Sequence, residues 1–389
     1  MSLPRGRIKS SPEDFVVEEI PAYEPSGEGT HLFLKFEKKG LTTDAAVRSI
    51  TKALGIEMRD VGIAGMKDKV AVTTQWVSVP TPPKDPSLEE RAKALVLEAG
   101  ETRIRVLEAK RHANKLKTGH LRGNRFDIFV RDVDADALAT ILAAMERFGT
   151  EGVPNAFGVQ RFGKEGDNAT RARAWLTGKE RAPNDPRLRR FHFSALQSTV
   201  FNAVLEARIA DGTWRLPVLG DLLKKEDTGG MFVCSDVQAD RERAVKGELC
   251  PTGPMVGDKM RWPDGPVKDL EEQIAAPFLE GVDLKRARSL GEGTRRALRL
   301  RVTACSVAEV LNSKGVPGAD ESDNREQTRS LRVQFVLPKG AYATTVLANA
   351  FDVIDGSRDG LPHVDSGGPG SMGPDGEDGS LTDAKTEEE

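Results

Sequence analysis

Asp68 stands between Lys67 and Lys69 in GMKDKVAVTTQW, residues 65–76, just before a run that alternates like a β-strand. Two readings fit. A carboxylate among lysines in a solvated turn is ordinary surface chemistry, whereas a carboxylate kept ionised on a sheet edge can act as a nucleophile or a base. Neighbouring cations favour ionisation by lowering a carboxyl pKa. Lys67 and Lys69 cannot both serve Asp68 in that way, because neighbours in an extended chain point to opposite sides.

A second concentration of chemistry lies downstream. Between Arg103 and Arg125 eight basic residues (Arg103, Arg105, Lys110, Arg111, Lys115, Lys117, Arg122, Arg125) face Glu108 alone, a net of +7. Such a tract is either a solvated surface or a set of phosphate contacts, each contributing about −0.9 to the salt slope of duplex binding. The whole-chain charge of −3 conceals it: residues 371–389 carry −6, which leaves +3 on residues 1–370. Other chemical signatures are incomplete. GVQRFGKE, residues 158–165, follows the phosphate-loop pattern until Glu165 replaces the hydroxyl that would ligate magnesium, and Pro154 sits where a strand should lead in. His31, His112, His120, His192 and His363 form no HExxH, and no GxSxG elbow exists. Cys234, Cys250 and Cys305 lack metal-ligand spacing and read as small apolar residues. No metal and no nucleotide cofactor are expected.

The elements that must position these residues can be read from periodicity. EDFVVEEI and HLFLKFE are predicted strands around the turn-rich PSGEG. TTDAAVRSITKALG is a predicted helix with Val47, Ile50 and Leu54 on one face and Gly55 as its stop. A short strand near Val61–Ala64, a turn from Gly65 to Lys69 and a strand from Val70 to Val79 follow, so Asp68 belongs to a turn. Ser87 and Glu90 read as the capping box of a second helix that stops at Gly100. Strands at TRIRVL and RFDIFVRDV enclose the basic tract, and DADALATILAAMERFG is a third helix. Helices on one face of a mostly antiparallel sheet would leave the other open to a large ligand. The texture changes near Gly152, where a domain boundary is expected. SALQSTVFNAVLEARIADG is a predicted helix with Ser194 and Gln197 as a capping box, an apolar stripe from Leu196 to Ile209, and Gly212 at its end. NSKGVPGADESDNREQ is an expected loop, LRVQFVLPKG a strand and ATTVLANAF a helix. The acidic tail from about Gly356 is expected to be disordered. The 389 residues suit two domains. They contain no run of about 18 apolar residues, and MSLPRGRIKSSPEDF lacks the apolar core of a signal peptide. A soluble cytoplasmic protein is the expectation.

GMKDKVAVTTQW, RHANKLKTGHLRGNRF, GVPNAFGVQRFG and LPKGAYATTVL, in that order, resemble the TruD family of tRNA pseudouridine synthases, as does the opening IKSSPEDFVVEEIPAYEPSGEGTHLFLKFEKKGLTT. Together they cover most of residues 8–348. The resemblance implies an α+β protein: a pseudouridine-synthase catalytic domain, a mostly antiparallel sheet flanked by helices, in residues 1–151 plus 301–355. A TruD-type α/β insertion domain then occupies 152–300. It places the catalytic aspartate at Asp68, its basic partner at Lys9, and the substrate contacts at Asn124, Phe126 and Tyr342, with the aromatic rings stacking on an extruded base. Read from pattern alone, these are a core phenylalanine, an ordinary strand-end tyrosine and a turn asparagine. The resemblance supplies tRNA, and by family uridine 13 in the D arm of tRNA-Glu, as partner of Lys110, Arg111, Lys115, Lys117 and Arg122. It implies a reaction without metal, redox cofactor or nucleotide, and a monomer is expected. PNAFGVQRFG suits a structural role at the domain junction, with Gln160 or Arg161 near RNA as the lesser reading. The chain departs from the family pattern in its long acidic tail and in VLANAF, which lacks the Arg-Glu pair that often follows the last motif. The rival classes are a non-catalytic RNA-binding protein or tRNA folding chaperone on the same scaffold, and a nucleotide-dependent enzyme built on GVQRFGKE.

Overall fold

A computed structural model describes residues 3–81, 87–163, 165–310 and 328–358. The expected loop at 312–327 and the tail beyond 358 lie outside them. The chain forms two compact units, one of residues 1–146, 303–343 and 350–389, the other of 147–302 and 344–349.

In the first unit run β1 (Arg5–Ile8), β2 (Phe15–Pro21), β3 (His31–Lys39), α1 (Thr43–Leu54), β4 (Gly62–Ile63), β5 (Val72–Pro80), α2 (Leu88–Lys93), β6 (Val96–Ala99), β7 (Thr102–His112) and β8 (Leu121–Asp134); α3 (Leu138–Glu151) then carries the chain across the boundary. The second unit holds β9 (Val153–Pro154), α4 (Asn168–Leu176), α5 (Pro186–Ala210), β10 (Leu222–Lys225), β11 (Met231–Val233), α6 (Val237–Val245), β12 (Leu249–Met255), α7 (Gly265–Leu279), β13 (Thr294–Ala297) and β14 (Arg299–Leu300). The chain returns as β15 (Thr303–Val310) and β16 (Thr328–Pro338), then α8 (Ala343–Leu347) and β17 (Asp352–Asp355).

Eleven strands of the first unit form one mixed sheet in the order β15-β16-β8-β2-β5-β3-β7-β6, with β1 joining β8 and β17, and β4 joining β5. Most neighbours are antiparallel; β2 with β5 and β1 with β17 are parallel. Strand alternation gives the sheet two unlike faces. On the inner face Leu34, Phe36 and Val77 pack against Ala46, Val47 and Ile50 of α1 and against Leu88 and Ala92 of α2. Burying each of the leucine, isoleucine, valine and phenylalanine side chains among these stabilises by roughly 1.5–3 kcal/mol. Helix α1 begins at Thr42, whose hydroxyl accepts from the Ala45 N–H, and ends at Gly55 in the left-handed conformation. The outer face carries ion pairs instead: Glu18 with Lys35 and Arg125, Asp127 with Arg332, Glu37 with Arg103. It also holds a cleft of about 320 Å³ whose lining includes Glu18, Glu24, Glu108 and Arg125. The face left free of those two helices is thus laced with paired charge.

Four sequence expectations are corrected. Ser87 makes no side-chain cap, and α2 ends at Lys93; residues 96–99 instead form a hairpin with β7, turning at Gly100 with φ +59°. Pairing Leu97 with Ile104 completes a ladder that a longer helix would forgo. Helix α5 starts at Pro186 under an Asp185 cap, eight residues before Ser194, because proline at the first helical turn is preorganised for it. Gln197 lies mid-helix and donates to the Val256 carbonyl (2.8 Å), and Ile209, at the end of the expected stripe, is exposed. Helix α8 stops at Leu347, and Asp352–Asp355 becomes a strand parallel to β1. Strands β1 and β17 have no distinct hydrophobic alternation and were not anticipated. In the second unit β9 pairs with β14, Val153 opposite Leu300, so its two ends meet.

Candidate active site

The turn that carries Asp68 lies where the sheet opens. β2 accompanies β5 only from Val16↔Val72 to Glu18↔Thr74, and β4 takes up β5 further along at Ile63↔Val77 and Gly62↔Ser78. In the gap the Trp76 N–H donates to Glu19 (3.2 Å), and the other carboxylate oxygen of Glu19 accepts from Lys67 Nζ (2.7 Å). This pair is sealed, with the Lys67 side chain 5% and that of Glu19 1% exposed. Thr43, at the start of α1, accepts from the Lys67 N–H (2.8 Å) and donates to Gln75 Oε1 (3.0 Å), while Gln75 Nε2 donates to the Gly65 carbonyl (3.2 Å). Lys38 Nζ donates to the main-chain oxygen of Asp68 (2.7 Å). The turn is thereby tied to β2, β3, β5 and α1 by one side chain each.

Lys9 Nζ lies 3.1 Å from Asp68 Oδ2 and 4.4 Å from the Phe15 ring centroid. Lys67 turns inward to Glu19, so the partner of the Asp68 carboxylate comes from outside its own turn. The Asp68 side chain is 56% exposed and that of Lys9 10%. Lys9 follows β1 and adopts φ +58°, an unfavourable conformation for a residue with a Cβ. The residues after it are locked: Asp14 accepts from the Ser11 N–H (3.1 Å) and from the Arg131 guanidinium (2.9 and 2.5 Å). Burial pushes the Lys38 ammonium down to about 8, with Lys67 adding to the effect and the Asp68 charge opposing it.

Phe126 joins the same group from the inner face of β8. Its ring meets Phe15 edge-on (6.2 Å between centroids) and leans on Phe335 (5.4 Å), leaving only 6% of the residue exposed. Asp68, Lys9, Phe15 and Phe126 thus form a continuous chain of contacts. Asn124 shares that face, opposite Glu19, and its Oδ1 is buried with no hydrogen-bond partner among the described residues; the same holds for Thr73 Oγ1, opposite Lys38. Tyr342 stands on the turn after β16, whose Pro338 pairs with Gly123, and is 52% exposed.

The basic tract does not make one stripe. Lys110 pairs with Glu108 (2.5 Å), and Arg111 lies 3.5 Å from Glu89 at α2. Lys115 donates to the Arg59 carbonyl (3.3 Å), and Lys117 and Arg122 are exposed. The loop bearing Lys115 and Lys117 is anchored by buried Leu116, whose N–H donates to Ser78 Oγ (2.9 Å), and by the Gly119 N–H, which donates to the Ala64 carbonyl (2.8 Å) beside the Asp68 turn. The Tyr23 hydroxyl meets His120 Nδ1 at 2.7 Å, and burial, with Lys117 and Lys339 nearby, pushes the His120 pKa down. In the second unit the Arg161 guanidinium donates to Ser194 and Ser198 and lies 5.4 Å from the Phe157 ring, all within that unit; the side chain of Gln160 is outside the described residues. Burial pushes the Cys234 thiol up to about 12 and those of Cys250 and Cys305 to about 11. Among the described residues no helix is long and apolar enough to cross a membrane, and no group of three or more His, Cys, Asp or Glu has metal-binding geometry.

Glu19, Lys38, Thr43 and Gln75 were not anticipated. For Glu19, Lys38 and Gln75 the signal is a charge or amide in the inward phase of an alternating strand (Phe15, Val17, then Glu19; Leu34, Phe36, then Lys38), whereas Thr43, the first residue of α1, has none. A buried polar group needs partners, so such a position marks a network.

Likeness to known proteins extends over most of the chain. The sequence model of the family described as tRNA pseudouridine synthase D (TruD) matches residues 4–180 and 181–350. The chain is 45% identical over 348 residues to tRNA pseudouridine synthase D of Anaeromyxobacter sp. (strain Fw109-5), covering 88% of this chain and 91% of that one. It is 37% identical to a protein of the same name from Thermus thermophilus, covering 90% and 89%. A crystal structure assigned to tRNA pseudouridine synthase D from Methanosarcina mazei superposes with a TM-score of 0.70 at 22% identity, over 92% of this chain and 95% of that one.

Proposed function

Because the chain belongs to the TruD family of tRNA pseudouridine synthases, isomerases that make pseudouridine in tRNA, we propose that Asp68 is its reacting carboxylate and Lys9 the cation that orients it. The observation that carries this reading is the contrast within the turn: the backbone is held by buried groups on four elements, yet the Asp68 carboxylate is open to solvent with one ammonium against it. A reacting group fixed in place before substrate arrives is what orientation requires.

The reaction breaks the bond between ribose C1′ and uracil N1 and joins C1′ to C5, with a proton lost at C5 and one gained at N1. A carboxylate can assist as nucleophile or as base, and in both roles must reach an extruded nucleotide. Tyr342 offers a half-exposed ring on which a base can stack, an interaction worth roughly 1–3 kcal/mol. Phe126 supports the floor through Phe15, and Asn124 is the polar contact for the uracil, its buried Oδ1 having no partner among the described residues. Residues 1–151 with 301–355 form the catalytic domain and 152–300 the insertion, a division supported by the pairing of β9 with β14. Lys110, Arg111, Lys115, Lys117 and Arg122 contact the RNA backbone. The substrate is uridine 13 in the D arm of tRNA-Glu, and the enzyme acts as a cytoplasmic monomer without a nucleotide cofactor.

The test is to incubate unmodified tRNA with the purified protein and map pseudouridine chemically. Product is expected at uridine 13, and Asp68→Asn should slow its formation by about 10³-fold or more. Undiminished product with Asp68→Asn would remove Asp68 from the chemistry, and product at another nucleotide would reassign the target.

A further inference from the structure

Met66 lies two residues before Asp68 and is 42% exposed, although the turn around it is held on both sides. The Gly65 carbonyl is bound by Gln75 and the Lys67 N–H by Thr43, so the Met66 backbone has little freedom while its side chain reaches into solvent. Lys67 points inward to Glu19. Met66 and Asp68 are thus both open to solvent, on either side of a lysine whose side chain is buried. A single exposed apolar residue is unremarkable on most surfaces. Here it occupies a rigid turn beside the carboxylate, with exposed Lys69 on the far side to hold nucleic acid nearby.

We propose that Met66 is a wedge that enters the slot left in the RNA stack when the target uridine swings out to Asp68. The inference rests on the reading of Asp68 as the reacting group. An extruded base leaves a gap whose flanking bases otherwise close up and draw the nucleotide back; an apolar side chain inserted between them opposes that return. Methionine suits the task, being unbranched, flexible and soft enough to lie against aromatic faces. Residues two apart in a chain stand at most roughly 7 Å from each other, about two steps of a base stack, so both side chains can reach one extrusion site. One side chain can thus reach the extruded uracil while the other occupies its former place.

The experiment compares single-turnover pseudouridine formation on unmodified folded tRNA by wild type, Met66→Ala and Met66→Leu. It also records, in an Asp68→Asn background, the fluorescence of 2-aminopurine placed next to the target uridine. Met66→Ala should be slower by about 10- to 100-fold, and Met66→Leu should stay within about threefold of wild type. The 2-aminopurine signal should change on mixing with Asp68→Asn and lose most of that change when Met66→Ala is added. A Met66→Ala rate within about twofold of wild type would overturn the proposal. So would a slow Met66→Ala enzyme with the full fluorescence change, which would make Met66 a residue that only shapes the turn. If wild type forms no pseudouridine, the reading of Asp68 fails, and the fluorescence still reports whether Met66 inserts.

Discussion

Lys9 combines a left-handed backbone with a buried ammonium aimed at Asp68, and the two features can be separated by mutation. Glycine adopts φ +58° without the Cβ penalty, so Lys9→Gly removes the charge while relieving roughly 1 kcal/mol of backbone strain that offsets part of the lost packing on Phe15. We expect Lys9→Gly to slow pseudouridine formation by about 10- to 100-fold with the unfolding midpoint within about 4 °C of wild type. A fully active Lys9→Gly enzyme would show that Lys9 does not orient the carboxylate. Lys38 makes the second prediction at this scale. Its folded-state pKa of about 8 lies below the ordinary 10.5, so between those values the unfolded chain holds a proton that the folded chain has released. The Lys38 contribution to stability should therefore rise with pH across that window, by about 3 kcal/mol in all, the penalty being fully present below pH 8. Burial raises the pKa values of Cys234, Cys250 and Cys305, which oppose this above about pH 9, and of Tyr23, which does so above about pH 10, so the Lys38 part is isolated by comparison with Lys38→Met in urea unfolding between about pH 7.5 and 9.5. Parallel pH curves for the two proteins would contradict it.

At the level of elements, the divergence of β2 from β5 makes room for the Asp68 turn, and the Glu19–Lys67 pair closes the gap from beneath. Removing one member of a buried ion pair leaves the other unpaired. Glu19→Ala also deprives the Trp76 N–H of its acceptor, so it should destabilise by about 3–5 kcal/mol in urea titrations. Glu19→Ala combined with Lys67→Met should recover a large part of that loss, because no charge then remains buried. A cost below about 1 kcal/mol for Glu19→Ala alone would show that the gap is held by other groups. The helix starts follow the same logic of competing partners. Ser194 and Gln197 have the spacing of a capping box, but in the folded chain their side chains are engaged with Arg161 and with the Val256 carbonyl, and Asp185 with Pro186 starts the helix.

For the whole molecule, charge distribution decides more than net charge. The outer face of the large sheet pairs most of its cations with carboxylates, whereas Lys117 and Arg122 are exposed near the loop anchored beside the Asp68 turn. Neutralising Lys115 and Lys117 should reduce the slope of log affinity for tRNA against log salt by about 0.7–0.9 for each phosphate left without a cation, with the single-turnover rate at saturation unchanged. An unaltered slope would take both lysines off the RNA backbone.

Local sequence determined what depends on near neighbours: helix α1 with its Thr42 and Gly55 boundaries, the alternating strands β2, β3 and β8, and the placement of Asp68 in a turn just ahead of β5. It also marked the basic tract, whose charges are countable. The family resemblance pointed to Lys9, but only the tertiary structure brought Lys38, Glu19, Thr43 and Gln75 onto the same short turn, because those partners come from separate elements and meet through strand order, which has no local signature. Periodicity marks Glu19 and Lys38 as charges in the inward phase of their strands, but the partners each one meets make the difference between a buried network and an isolated charge. That difference is created when β2 and β5 part and water is excluded from the space between them.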